Sequence, residues 1–130
     1  MAIPFAAGAV VYAKDISKVS AFYAGAAGLV AIRSAEDHIV LESAGFQLVV
    51  VAIPARLAAS IHIDVPPRPR EDTAIKLVLP VESMAEARAA AASLGGRLNP
   101  PEREWTFHDS RVCDGHDPEG NVVQFRAKAA

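Results

Sequence analysis

Apolar and polar positions along this chain follow two periods, and the period switches at regular intervals. Ala9–Ala13 (AVVYA) is a β-branched and aromatic run with strand character, and Asp15 or Ser17 just after it offers a helix N-cap. Ile16, Val19, Tyr23 and Ala26 then recur at helical spacing, so one face of a short helix is apolar, and Gly28 is placed to close it. Leu29–Arg33 and His38–Glu42 read as strands, Ala44-Gly45 as a turn, and Phe46–Ile53 as a long apolar strand ended by Pro54. The first half, residues 7–53, is therefore expected to be βαβββ.

The same order returns at an offset of roughly 68 residues. Ile75–Leu79 matches the first strand, and Ser83 with Glu86 forms an S-x-x-E capping box for a second helix. Met84, Ala87, Ala91 and Leu94 line one face of that helix, and Gly95-Gly96 ends it. Strands are expected at Arg97-Leu98, Glu104–Phe107 and Arg111–Asp114. In the last stretch, Asp117-Pro118-Glu119-Gly120 makes a tight turn that opens a final strand from Val122. Residues 75–126 thus form a second βαβββ unit. The connector, residues 54–74, contains Ile61–Val65, which alternates like an edge strand, and Pro66-Pro67-Arg68-Pro69-Arg70, which must be extended and exposed.

Strand alternation sorts side chains between two faces. A two-residue turn at Ala44-Gly45 sets Glu42 opposite Gln47, Val40 opposite Val49 and His38 opposite Val51 on one mixed face, while Ile39, Leu41, Leu48 and Val50 form an apolar face for the helix. In the last strand Val122, Gln124 and Arg126 part from Val123 and Phe125. Gly8, Val10 and Tyr12 share a face of the first strand, and Lys76, Val78 and Pro80 share the same face of its counterpart.

The turn and strand around His116-Asp117-Pro118 and Gly120-Asn121-Val122-Val123-Gln124-Phe125 resemble the last hairpin of the vicinal oxygen chelate superfamily, the glyoxalase I, bleomycin-resistance and extradiol dioxygenase group. From Gly8 to Arg126 the resemblance implies an α+β fold of two βαβββ modules, helices on one side, with curled sheets enclosing a cavity. In metal-using members it implies a His early in the first strand of each unit and a carboxylate on the last. The matching positions here are Gly8, Val49, Lys76 and Gln124. None is a good ligand, and the Lys76 ammonium would repel a divalent ion while suiting an anionic or carbonyl-bearing ligand. No metal and no cofactor is therefore expected.

Composition narrows the classes. The chain has 130 residues, 52% hydrophobic and 22% charged, and a mean hydropathy of +0.22, which fits one folded domain with a core of its own. A net charge of −2 gives no reason to expect nucleic acid or an anionic membrane as partner. The apolar start, MAIPFAAGAVVYA, lacks a basic leader and stops at Lys14-Asp15 short of a membrane span, so it reads as a buried strand. Cys113 is the only cysteine, so no intrachain disulfide forms and a cytoplasmic setting is expected.

Other candidates are weighed by their surroundings. His38 and Glu42, two steps apart on one strand face, can act as an acid and base pair. His116 is expected to bond the backbone of its own hairpin. Trp105 and Phe107 share a face, packing in a core or walling a flat ligand. Asp114, His116, Asp117 and Glu119 crowd together, but Pro118 spoils an EF-hand spacing. Gly25–Gly28 lacks a nucleotide-binding glycine pattern. Cys113 is expected to be inert.

The reading that follows is a metal-free small-molecule-binding protein, a homodimer, whose cavity is lined by Tyr12, His38, Glu42, Gln47, Lys76, Trp105, Gln124 and Arg126. Its ligand would carry carbonyl, carboxylate or aromatic groups. The alternative is a lyase, isomerase or oxygenase whose divalent metal is held by other residues, such as His38, Glu42 and Glu104, or whose His38 and Glu42 move protons unaided. A third reading makes Pro66–Arg70 the contact of a dimeric interaction module.

Overall fold

The computed structural model describes residues 7–129, so the part of the first-strand reading that falls on Met1–Ala6 lies outside the described residues. The first half runs β1 (Gly8–Ala13), α1 (Ile16–Ala27), β2 (Val30–Ser34), β3 (His38–Ser43) and β4 (Phe46–Ala52). Asp15 caps α1 by accepting the Lys18 N–H at 3.0 Å, and Gly28 ends it at φ 73°, a conformation that side-chain-bearing residues resist. The Ala44-Gly45 turn sets the hairpin register as expected, with His38, Val40 and Glu42 opposite Val51, Val49 and Gln47. β1 joins parallel to β4, giving the order β1-β4-β3-β2.

The connector differs from its expectation. Ile61–Val65 forms no strand; a single helical turn, α2 (Ala55–Ala58), precedes it. An alternating pentapeptide needs a sheet edge to pair with, and Pro66-Pro67 beside it removes two backbone donors. The second half runs β5 (Leu77–Pro80), α3 (Met84–Ser93), β6 (Arg97–Leu98), a 3-10 turn at Pro101–Arg103, β7 (Trp105–Phe107), β8 (Ser110–His116) and β9 (Val122–Lys128). β5 begins two residues later than expected, which leaves Lys76 just before the strand. Its sheet has the order β5-β9-β8-β6, with β7 paired to the other end of β8. Ser83 caps α3 by accepting the Glu86 N–H at 3.1 Å.

One core joins the halves. Tyr23 and Phe22 of α1, Leu41 and Leu48 of the first sheet, and Phe125 and Leu79 of the second belong to a single buried cluster. Phe22 meets Phe125 with ring centroids 6.3 Å apart. α1 packs on α3, and Gly25 makes the close approach possible, since a Cβ there would lie 2.3 Å from Leu94 Cδ1. Helix-covered faces therefore meet in the middle, and the opposite faces of both sheets stay open. The expected enclosure by curled sheets is not met within one chain: the two sheets do not close on each other. Among the described residues no helix is long and apolar enough to cross a membrane.

The last turn is buried, and it anchors α1. Asp117 is fully enclosed. Its Oδ1 accepts the N–H groups of Glu119 and Asn121 at 2.8 and 3.0 Å. Its Oδ2 accepts the Tyr23 hydroxyl at 2.9 Å and the Asn121 side-chain amide at 2.8 Å. Glu119 reaches back to accept the N–H groups of Lys14 and Asp15 at 2.9 and 2.8 Å. Burial, then the neighbouring Asp117 charge and their hydrogen bond, push the Tyr23 hydroxyl well above the ordinary tyrosine range. The folded state favours the protonated phenol, so the contribution is complete below about pH 10 and is lost as pH rises further. Tyr23→Phe is expected to lower urea stability by about 1–3 kcal/mol with an unchanged slope, and to remove this alkaline component.

Candidate functional site

The open face of the second sheet carries a continuous polar chain. Lys76 Nζ lies 2.8 Å from Asp114 Oδ2, and Gln124 Nε2 donates to Asp114 Oδ1 at 3.1 Å. Arg126 Nε in turn donates to Gln124 Oε1 at 2.9 Å. The Arg126 guanidinium then lies over the Phe107 ring, 4.9 Å from its centroid. Strand alternation puts these groups together, because β9 pairs Gln124 with Asp114 and Arg126 with Val112, while β7 pairs Trp105 with Val112 and Phe107 with Ser110. Trp105 and Phe107 are 40% and 46% exposed, so they wall the open face rather than the core. A depression of about 710 Å³ lies over Val78, Pro80, Ser110 and Arg126.

The open face of the first sheet is simpler. Gln47 Nε2 donates to Glu42 Oε2 at 3.0 Å across the hairpin. His38 Nδ1 lies 2.9 Å from Asp37 Oδ1, and this hydrogen bond lowers the exposed Asp37 carboxyl from its usual range. Tyr12 and Val10, 64% and 55% exposed, stand beside them on β1. The eight residues singled out from sequence thus fall into two quartets: Tyr12, His38, Glu42 and Gln47 on one open face, and Lys76, Trp105, Gln124 and Arg126 on the other. One chain does not bring the quartets together. Asp114 is the member that sequence reasoning missed, although its place opposite Gln124 follows from the DPEG turn and strand alternation.

The positions where metal-using members of the resembled superfamily carry ligands do not fit a divalent ion. Gly8 and Val49 offer no donor side chain, Lys76 brings a positive charge, and the one oxygen of the Gln124 amide accepts from Arg126. The other set, His38, Glu42 and Glu104, is not assembled either. Among the described residues no three His, Cys, Asp or Glu side chains are grouped to hold an ion. Glu104 instead bridges Arg88 and Arg111. Burial raises its carboxyl, but the hydrogen bonds from Arg88 and then Arg111 outweigh that and hold it below the usual range.

Cys113 lies beneath this bridge on the helix side of the sheet. Its thiol donates to the Asn99 carbonyl at 3.3 Å, and burial, the largest influence, pushes it up despite Arg88 nearby. A raised thiol in a packed core is unreactive at neutral pH. Cys113 is accordingly expected to react with a thiol reagent only as fast as the protein opens; rapid stoichiometric labelling of the folded protein would contradict this placement.

The chain is similar to known proteins along nearly all of its length. A family model described as a glyoxalase-like domain matches residues 8–125. A glyoxalase-related enzyme from Fulvimarina pelagi aligns with a TM-score of 0.66 at 17% identity, over 97% of this chain and 89% of that one. The fosfomycin resistance protein FosX from Listeria monocytogenes aligns at 0.65 and 16% identity, over 100% and 94%. A bleomycin resistance determinant encoded on the transposon Tn5 aligns at 0.59 and 14%, over 95% and 97%. At these identities the structural likeness speaks for the fold alone. No curated protein matches the chain by sequence.

Proposed function

Because this chain belongs to the glyoxalase-like domain family, we propose that it is a metal-free member that binds a small molecule in a cavity shared between two copies. The observation that carries this reading is the ordered chain Lys76–Asp114–Gln124–Arg126 beside Trp105 and Phe107. It supplies a polar, cationic and aromatic surface at the positions where a metal site would otherwise stand. Lys76 is matched by Asp114, so the cation available to a ligand carboxylate or carbonyl is Arg126, whose terminal nitrogens have no carboxylate partner among the described residues.

The second copy enters because each chain presents two half-sites. Exposed Val10, Tyr12, Val78, Trp105 and Phe107 on the two open faces are an apolar surface of the kind that associates. Pairing the first sheet of one chain with the second sheet of its partner brings both quartets to one cavity, with two cavities in a closed homodimer. Tyr12 and Trp105 then flank an aromatic ligand, Gln47 and Gln124 orient polar groups, and Arg126 meets the anionic end. His38 and Glu42 line the wall. The fosfomycin and bleomycin resistance proteins of the same fold support a small organic molecule as ligand; in this reading it is sequestered or presented by a cytoplasmic protein, and the net charge of −2 favours neither nucleic acid nor membrane as partner.

A thermal-shift screen of aromatic carboxylates, metabolites and antibiotics tests the reading. A ligand at a hundred times its dissociation constant adds about 2.7 kcal/mol of apparent stability, and Arg126→Ala is expected to weaken an anionic ligand about tenfold or more. Metal analysis of protein purified without chelator is expected to find no stoichiometric ion. Bound iron, zinc, nickel or manganese that disappears in His38→Ala would overturn the metal-free reading in favour of an enzyme.

A further inference from the structure

A second cleft, lined by none of the eight residues of the two quartets, opens between the connector and the α3–β6 corner, with a volume of about 1070 Å³. Six prolines contribute to its walls: Pro66, Pro67 and Pro69 from the connector, and Pro100, Pro101 and Pro118 from the second half. Proline rings give rigid apolar surface, and the connector is held in place by the Arg70 N–H donating to the Gly120 carbonyl at 2.8 Å. A smaller hollow of about 280 Å³ adjoins this cleft, sharing Pro69, Glu71, Asn99, Arg103 and His116 as lining, and reaches Lys76 and Asp114 of the open-face polar chain on its far side.

His116 is the group that marks the cleft as more than a fold in the surface. The residue is only 8% exposed. Its Nδ1 lies 2.9 Å from the Asp117 carbonyl, which can only accept, so Nδ1 carries the proton. Nε2 of the neutral ring is then a lone-pair acceptor, and it has no hydrogen-bond partner among the described residues. It is not sealed off, because Ser20 Oγ is the one side-chain polar atom among them that is both enclosed and unpartnered. A nearly buried acceptor on a residue that lines a cavity is a position where a ligand donor would gain most.

The charged groups around it differ in their partners. Asp15 caps α1, Asp64 is paired with His62 and Arg68, and Glu119 holds the start of α1. Arg88 is engaged with Glu104. Lys14, Lys18, Arg97 and Arg103 have no carboxylate partner among the described residues, and Asp15, Glu71 and Glu119 have no cationic one; Lys14 is engaged with the Ile61 carbonyl, which leaves Arg97 and Arg103 as the guanidiniums on the lining without a carboxylate. We propose that this cleft is a second ligand site, for an aromatic hydroxy acid whose hydroxyl donates to His116 Nε2 and whose carboxylate is met by Arg97 or Arg103 while its ring lies on the prolines. The proposal stands apart from the shared-cavity reading, since it uses none of the eight residues of that cavity.

The test uses para-hydroxybenzoate as probe, with benzoate and phenol as arms that lack the hydroxyl or the carboxylate. In nitrogen-15 and proton NMR titrations of the intact protein, para-hydroxybenzoate is expected to shift His116 Nε2 and the Arg97 amide, and to bind about tenfold more tightly than either arm. The surface variant R97Q/R103Q, which touches no core contact, is expected to remove about tenfold of that affinity while H116N removes the imidazole shift. Shifts confined to Trp105 and Gln124 would place the probe on the open face and overturn the cleft. Equal affinity for the three probes, or no loss in R97Q/R103Q, would overturn it as well.

Discussion

The buried carboxylate of Asp117 decides how the two halves of this protein meet. It lies in a turn of the second half, yet one of its oxygens is held by Tyr23 from the first helix, and Glu119 two residues on receives the backbone N–H groups that begin that helix. Enclosing a carboxylate is costly unless its lone pairs are satisfied, and here four donors do so. The turn and the helix are therefore tied in one arrangement, reinforced by Phe22 against Phe125 and by α3 closing on Gly25. With the helices between the sheets, the remaining sheet faces can only look away from the core.

That arrangement has a functional consequence. An isolated chain offers two open half-surfaces, one aliphatic and phenolic around Val10 and Tyr12, the other cationic and aromatic around Arg126, Trp105 and Phe107. The polar chain on the second surface is ordered before any ligand arrives, because Asp114 holds both Lys76 and Gln124, and Gln124 holds Arg126. Side chains fixed in this way lose little freedom on binding. Under the proposed reading, binding chemistry has replaced metal chemistry: an amide and a guanidinium orient and neutralise a ligand where a divalent ion would polarise one.

Local features were the legible part of the sequence. Asp15 and Ser83 as caps, Gly28 as a stop, and the Ala44-Gly45 turn act within a few residues, so pattern alone placed the helices and the β3–β4 register. From that register came the mixed face bearing His38, Glu42 and Gln47. The apolar stripe of Ile16, Val19, Tyr23 and Ala26 is narrower than the face α1 buries, because Phe22 also packs inward, against the second sheet, and a helix between two sheets buries more than one stripe. Ile61–Val65 had the alternation of a strand and no partner to pair with. Asp114 opposite Gln124 was within reach of the hairpin pattern, whereas the Lys76–Asp114 pair and the cleft beside His116 depend on contacts between residues far apart in the chain, which no periodicity reports. The halving of the eight candidate residues between opposite faces likewise depends on long-range packing between the halves, the Tyr23–Asp117 tie across 94 positions and Phe22 against Phe125 among it.

The central claim is that a complete cavity needs the first sheet of one chain and the second sheet of another. Mixing Y12A protein with R126A protein, after dissociation and reassociation, tests it most directly. Each variant alone carries a lesion in every cavity, whereas a mixed dimer gathers both lesions into one cavity and leaves the other intact. Statistical mixing is then predicted to restore full-affinity binding in about a quarter of the sites. No recovery from a mixture shown by mass to contain mixed dimers would mean that the cavity lies within a single chain, and the account would be wrong.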